Sequence, residues 1–130
     1  MSTLKVNTIQ NTSGGSSSTP EQIQQGRCKA WVHFQGTGTV TNNNSFNVSS
    51  VTDEGTGLYD VNFATNMSNA NYVTQVNGQL DVTSGSTSTD NVIYSIVNTP
   101  QTTSSTRVFS RQATSSTLDS FNMFVAIFGD

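Results

Sequence analysis

From Cys28 onward this chain is a series of short segments in which apolar residues recur at every second position, and no substantial stretch there carries a helical period. Successive side chains of a β-strand point to opposite faces, so a period of two marks strands with one face in a core. The first is Cys28 to Phe34, with Cys28, Ala30, Val32 and Phe34 on one face and Lys29, Trp31 and His33 on the other. Gly36-Thr37-Gly38 turns the chain, and a weak strand starts at Val40 before Asn42-Asn43-Asn44, read as a loop tip. Phe46 and Val48 alternate, Asp53 to Gly57 reverses the direction, and Tyr59, Val61 and Phe63 alternate back as a hairpin. Val51 breaks the parity of Val48, which predicts a bulge at Ser49-Ser50. Further strands are expected over Asn71 to Val82, Asn91 to Val97, Arg107 to Gln112 and Phe121 to Phe128, joined by Gly-, Ser- and Thr-rich segments.

Seven to nine short strands without an internal repeat exclude a solenoid or propeller and imply an all-β fold. The expected architecture is an antiparallel β-sandwich, jelly-roll-like, over residues 28–130. Residues 1–27 read as an extended N-terminal arm with one short helix. Leu4 to Ile9 alternates like a short strand, and Asn11 to Ser18 has the composition of a flexible linker. Thr19 before Pro20 and Glu21 then marks a helix start, and Gly26 a left-handed stop. Only Ile23 is apolar within that helix, so it has no face with which to join a core. Leu4, Val6, Ile9 and Ile23 are therefore expected to dock the arm on another protein.

The last strand adds an expectation about assembly. Phe121, Met123, Val125 and Ile127 point one way, and Phe124, Ala126 and Phe128 point the other. A strand apolar on both faces is covered on both sides. One of those faces has to meet a neighbouring subunit, so Phe121, Met123, Phe124, Val125, Ile127 and Phe128 are expected at an oligomer interface.

Composition narrows the function. Only 10% of the 130 residues are charged and 32% hydrophobic, while Ser, Thr and Asn fill roughly two-fifths of the chain, against about 25% charged in an average soluble domain. Thr suits a pleated strand and Ser and Asn suit turns, as in β-proteins built for assemblies. Five basic against eight acidic residues leave no cluster for a phosphate backbone, so no nucleic-acid partner is expected. No apolar run nears the ~20 residues of a membrane span, and the opening MSTLKVNTIQ has no signal-peptide core. One cysteine allows no intrachain disulfide, consistent with a reducing cytoplasm left by lysis.

Catalytic chemistry finds little footing. His33 is the sole histidine, and nothing singles out a nucleophilic serine beside it. It reads as a strand residue, with a metal site shared by three copies as the minority alternative. Cys28, between Arg27 and Lys29, reads as a small core residue. Asp53, Glu54 and Asp60 flank a turn but lack the oxygen count of a calcium loop. Asn11, Asn43, Asn47 and Asn66 open Asn-x-Ser/Thr triplets that a chain of this composition produces by chance. Trp31, Tyr59, Tyr72 and Tyr94 are aromatic platforms for a sugar or, more simply, for packing. The expectation is a protein that is not an enzyme and has no cofactor or metal.

Longer runs carry a family resemblance. LKVNTIQNTSG (residues 4–14), STPEQIQQGR (18–27), KAWVHFQGTGTV (29–40), SFNVSSVTDEGTGLYDVNF (45–63) and MSNANY (67–72) resemble, in the same order, tail-fibre-like proteins of tailed phages that infect cyanobacteria. The chain departs from that pattern at Asn42 to Asn44, where the group carries more charge. The resemblance implies a virion structural protein assembled in the host cytoplasm, a homo-oligomer and usually a homotrimer. It would attach to other virion proteins through the arm and display its β domain to a host surface glycan or protein. The alternative is a capsid decoration or head-fibre protein that stabilises the head lattice.

Overall fold

The computed structural model describes residues 2–79, 92–96, 101–112 and 117–129. Their order is α1 (Pro20–Gly26), β1 (Cys28–Gln35), β2 (Thr41–Phe46), β3 (Val48–Gly55), β4 (Leu58–Phe63), β5 (Val73–Gln79), β6 (Val92–Ile96), β7 (Ser105–Gln112) and β8 (Asn122–Phe128). The chain is mostly β with one short helix. Its strands form two four-stranded antiparallel sheets, β2-β1-β8-β5 and β3-β4-β7-β6.

One core lies between the sheets because each supplies every second residue to it. Ala30, Val32 and Phe34 of β1 and Met123, Val125 and Ile127 of β8 come from the first sheet. Tyr59, Val61 and Phe63 of β4 and Val108 of β7 come from the second. Phe34 meets Tyr59 edge-on at 5.1 Å between ring centroids, and Phe63 meets Tyr72 at 5.7 Å. Full burial of an aliphatic or aromatic side chain of this size contributes about 1.5–3 kcal/mol. Thr106, Ser110 and Ser120 are buried too. Among the described residues no buried side-chain polar atom lacks a hydrogen-bond partner.

From β2 to β3 the chain passes from the first sheet to the second through a single residue. Asn47 stands between β2 and β3 in the left-handed region, φ 53°, a conformation Asn tolerates better than other non-glycine residues. Its Nδ2 donates to the carbonyls of Lys29 and Thr65 at 3.2 Å each, and its Oδ1 accepts from the Thr65 N–H at 2.8 Å. Its own carbonyl accepts from Ala64 N–H at 3.1 Å. The corner is therefore tied to both sheets by side-chain and backbone bonds.

Several local expectations change. Asn42, Asn43 and Asn44 are not a loop tip: they lie inside β2, paired with β1 from Phe46 opposite Trp31 to Thr41 opposite Gln35. The ladder to β1 overrides their poor strand propensity. The bulge expected at Ser49-Ser50 is present as a register shift between Val48 and Ser50. In the arm, Thr19 caps α1 through a reciprocal box with Gln22. The helix does not stop on a left-handed Gly26, however. It ends at Arg27 in extended backbone, φ −79°, leading straight into β1. Leu4 to Ile9 forms no strand beyond one antiparallel bridge, Ile9 with Ser18, which closes the Asn11–Ser18 segment into a loop.

Candidate functional site

Two surfaces of the described structure expose apolar side chains together, and each follows from the alternation of its element. The first is the outer face of the first sheet. In β1 the residues between core positions are Trp31 and His33; register places Trp31 beside Phe46 on one side and Ala126 on the other. His33 lies beside Asn44 and Phe124, and Phe124 in turn beside Asn77 of β5. Val73 pairs with Phe128 at the arm-proximal end. Trp31 is 37% exposed, Phe124 42%, Phe46 55% and Val73 65%.

The His33 ring stacks on Phe124 at 4.7 Å with a 26° interplanar angle. Its Nε2 lies 2.9 Å from Asn122 Oδ1 and 3.2 Å from Asn43 Nδ2, so the tautomer decides which of them it bonds. Asn122 Nδ2 in turn donates to Gln79 Oε1 at 3.0 Å. A hollow of about 420 Å³ opens between Trp31, Phe124 and the amides of Gln75 and Asn77, floored by Ala126. No acidic residue occurs in β1, β2, β5 or β8, and Lys29 is their one cation.

The outer face of the second sheet is of opposite character. Asp60 and Arg107 are cross-strand partners on β4 and β7. Arg107 Nε donates to Asp60 Oδ1 at 2.5 Å and Nη2 to Asp60 Oδ2 at 2.6 Å, while Nη2 also reaches Glu54 Oε2 at 3.0 Å. These bonds and charges push the Arg107 guanidinium pKa further up. Asn62 Nδ2 bonds Ser50 and Thr52 across to β3, and Arg111 lies 5.7 Å over the Phe109 ring.

The second apolar surface belongs to the arm. Leu4, Val6, Ile9 and Ile23 are all exposed, Leu4 to 86%. They line one groove of about 560 Å³ between the extended N-terminal segment and α1, with Lys5 and Arg27 at its borders. The four arm residues singled out in the sequence thus share one surface.

The six residues expected at a subunit interface do not share one. Met123, Val125 and Ile127 are buried in the chain's own core. Phe124 is on the outer face, Phe128 is half-buried, and Phe121 is exposed just before β8. Phe46 and Val73 belong to the exposed face and escaped sequence reading. Phe46 and Val48 alternate in sequence but lie in different sheets, because Asn47 switches sheets between them.

The residues with chemical potential are engaged structurally. Tyr59 and Tyr72 are core residues, which leaves Trp31 as the exposed aromatic of the set; the Tyr94 side chain lies outside the described residues. The Tyr59 hydroxyl sits 3.1 Å from the Gly36 carbonyl and 2.9 Å from Asp119 Oδ1, two acceptors for one proton. Burial, and then the Asp119 carboxylate, raise its pKa well above the ordinary tyrosine value. Burial raises that of Tyr72 as well. Cys28 Sγ donates to the Ala30 carbonyl at 3.2 Å, and Asp53 Oδ1 accepts from Gly55 N–H at 2.9 Å. Among the described residues, no group of three or more His, Cys, Asp or Glu is placed to hold a metal ion. No described helix is long and apolar enough to cross a membrane. No family model matches the chain, and neither does any curated protein or solved structure.

Proposed function

We propose that this chain is a virion structural protein of a tailed phage infecting cyanobacteria. In that reading it is a tail-fibre-type component that displays a jelly-roll-like β-sandwich, as a homotrimer, for attachment to a host surface glycan or protein. It acts by contact and not by catalysis, without a cofactor. The observation that carries the reading is the separation of two parts with different surfaces. An arm with four exposed apolar residues around one groove precedes a β body whose apolar core is closed between its own sheets. A segment that exposes Leu and Ile to water gains little unless another protein covers them. The arm is the attachment part, and the body is the part displayed.

The capsid decoration alternative draws support from size: 130 residues, with strands of at most eight residues among those described, suit a small knob better than a long self-standing fibre. Imaging of particles with this protein labelled separates the two. A few copies at the tail are the expected result, several hundred over the head would select the decoration reading, and label absent from particles would overturn both.

A further inference from the structure

We infer that Asn77 is a site of spontaneous covalent modification. The Gly78 nitrogen attacks its side-chain amide, and deamidation leaves a carboxylate on a sheet whose strands otherwise hold no Asp or Glu. The inference goes beyond the virion reading and does not depend on it, since it concerns the chemistry of the chain itself.

Among the asparagines of the chain, Asn77 alone precedes a glycine. With no Cβ on the attacking residue, its nitrogen approaches the side-chain carbonyl without the steric barrier that any other residue brings. The structure adds geometry to that pair. The Gly78 N–H donates to Asn77 Oδ1 at 2.8 Å, so the side chain is folded over the peptide that attacks it. Cγ, the atom with which the nitrogen closes a succinimide ring, is one C=O bond of about 1.2 Å from that Oδ1.

Access and freedom to move point the same way. Asn77 is exposed, so water and hydroxide reach it. β5 is an outer strand of its sheet, paired with β8, and local opening there has one ladder to disturb and not two. Asn44 serves as an internal control. Its Oδ1 accepts from Ser45 N–H at 2.9 Å on the other outer strand, β2, but Ser45 brings a side chain to the attacking residue.

The step balances with water and hydroxide as its co-reactants. Hydroxide removes the Gly78 N–H proton, the nitrogen bonds to Asn77 Cγ, and the Cγ–Nδ2 bond breaks. Nδ2 leaves as ammonia, with a proton from water. A second water then opens the succinimide. Attack at Cγ gives aspartate, and attack at the main-chain carbonyl carbon gives isoaspartate, in which the chain runs through Cβ and Cγ. Either product adds one negative charge to the formal −3 of the chain. That charge falls at the hollow which Asn77 lines with Trp31, Gln75 and Phe124. Isoaspartate also lengthens β5 by one main-chain atom where Asn77 pairs with Phe124 and Gly78 with Met123.

The experiment incubates the full-length protein in mildly alkaline buffer, native and unfolded in guanidinium chloride. Each asparagine is followed by peptide mass mapping, and the acidic products are separated by anion exchange. Asn77 is expected to react first in the native protein, at a rate within about tenfold of that in the unfolded chain. Gly78→Ala is expected to slow the reaction at least tenfold, about 1.4 kcal/mol on its barrier. Asn77→Gln, whose longer side chain has to close a larger ring, is expected to remove the early acidic form from the anion-exchange profile. A native protein whose Asn77 stays intact while the unfolded chain reacts overturns the inference, because the strand then protects the pair. Reaction at Asn44 ahead of Asn77 overturns it as well, as does a folded Gly78→Ala protein that reacts at an unchanged rate. Should Gly78→Ala fail to fold, the unmutated series and Asn77→Gln still decide.

Discussion

Asn47 fixes the passage from β2 to β3, where the chain changes sheet through one residue in the left-handed region. Asn47→Ala removes three side-chain hydrogen bonds and places a Cβ-bearing residue with no polar compensation at φ 53°. A loss of about 2–4 kcal/mol is expected by chemical denaturation. Asn47→Gly loses the same bonds without the left-handed strain, so it should be milder than Asn47→Ala by about 1 kcal/mol. Equal losses would show that strain at the corner is unimportant. Tyr59 supports a prediction in pH. Its folded pKa is raised by burial and by Asp119, so the unfolded chain loses that proton first. The stability this contributes is complete below the unfolded tyrosine value near 10 and declines as pH rises from there toward the folded pKa. Melting temperature should therefore fall above about pH 10, with tyrosinate absorbance from Tyr59 appearing together with unfolding. Tyr59→Phe should flatten that dependence; an unchanged alkaline slope would refute the assignment.

At the scale of elements, the start of α1 is legible in the sequence, while its end is not. Thr19 and Gln22 form a local capping box three residues apart, with Pro20 at the first helical position, so nothing distant has to be known. Thr19→Ala should cost the helix about 1 kcal/mol. Because no residue of α1 is buried, the loss is expected as faster amide exchange over residues 20–26 with an unchanged global melting temperature. A lowered melting temperature would mean that α1 supports the core. The strands show the opposite dependence. β1 and β4 follow their apolar alternation, which is why their core and outer faces could be read residue by residue. β2 could not be: TNNNSF has weak strand propensity, and its order comes from pairing with β1. Gly57 depends on context in the same way. It is at φ 67°, with the carbonyls of Ser110 and Leu118 where a side chain would go, and its N–H donates to Asp119 at 2.7 Å, contacts more than fifty residues distant.

For the whole molecule, the division into arm and body makes a direct prediction. No α1 residue contributes to the core, so a chain beginning at Cys28 should melt within about 2 °C of the full-length protein. A drop well beyond that in scanning calorimetry would show that the arm is part of the fold. The charge asymmetry between the sheets is a property of the same scale. Each strand alone has an ordinary mixture of polar residues, and only sheet membership reveals that Asp53, Glu54, Asp60, Arg107 and Arg111 all fall to one sheet. The double-sided apolar character of β8 was legible from sequence, since it needs only a period of two. Which side is core was not, because parity is relative until a partner sheet is placed against it. By itself, then, the sequence determined an all-β chain with a capped arm helix and the alternation of its clearest strands, because propensity, capping and parity act over a few residues. Tertiary structure decided that Met123, Val125 and Ile127 face inward while Phe124 joins Trp31, His33 and Phe46 outside. Those choices depend on strand pairings between residues some 90 positions apart and on the change of sheet at Asn47, which no local pattern encodes.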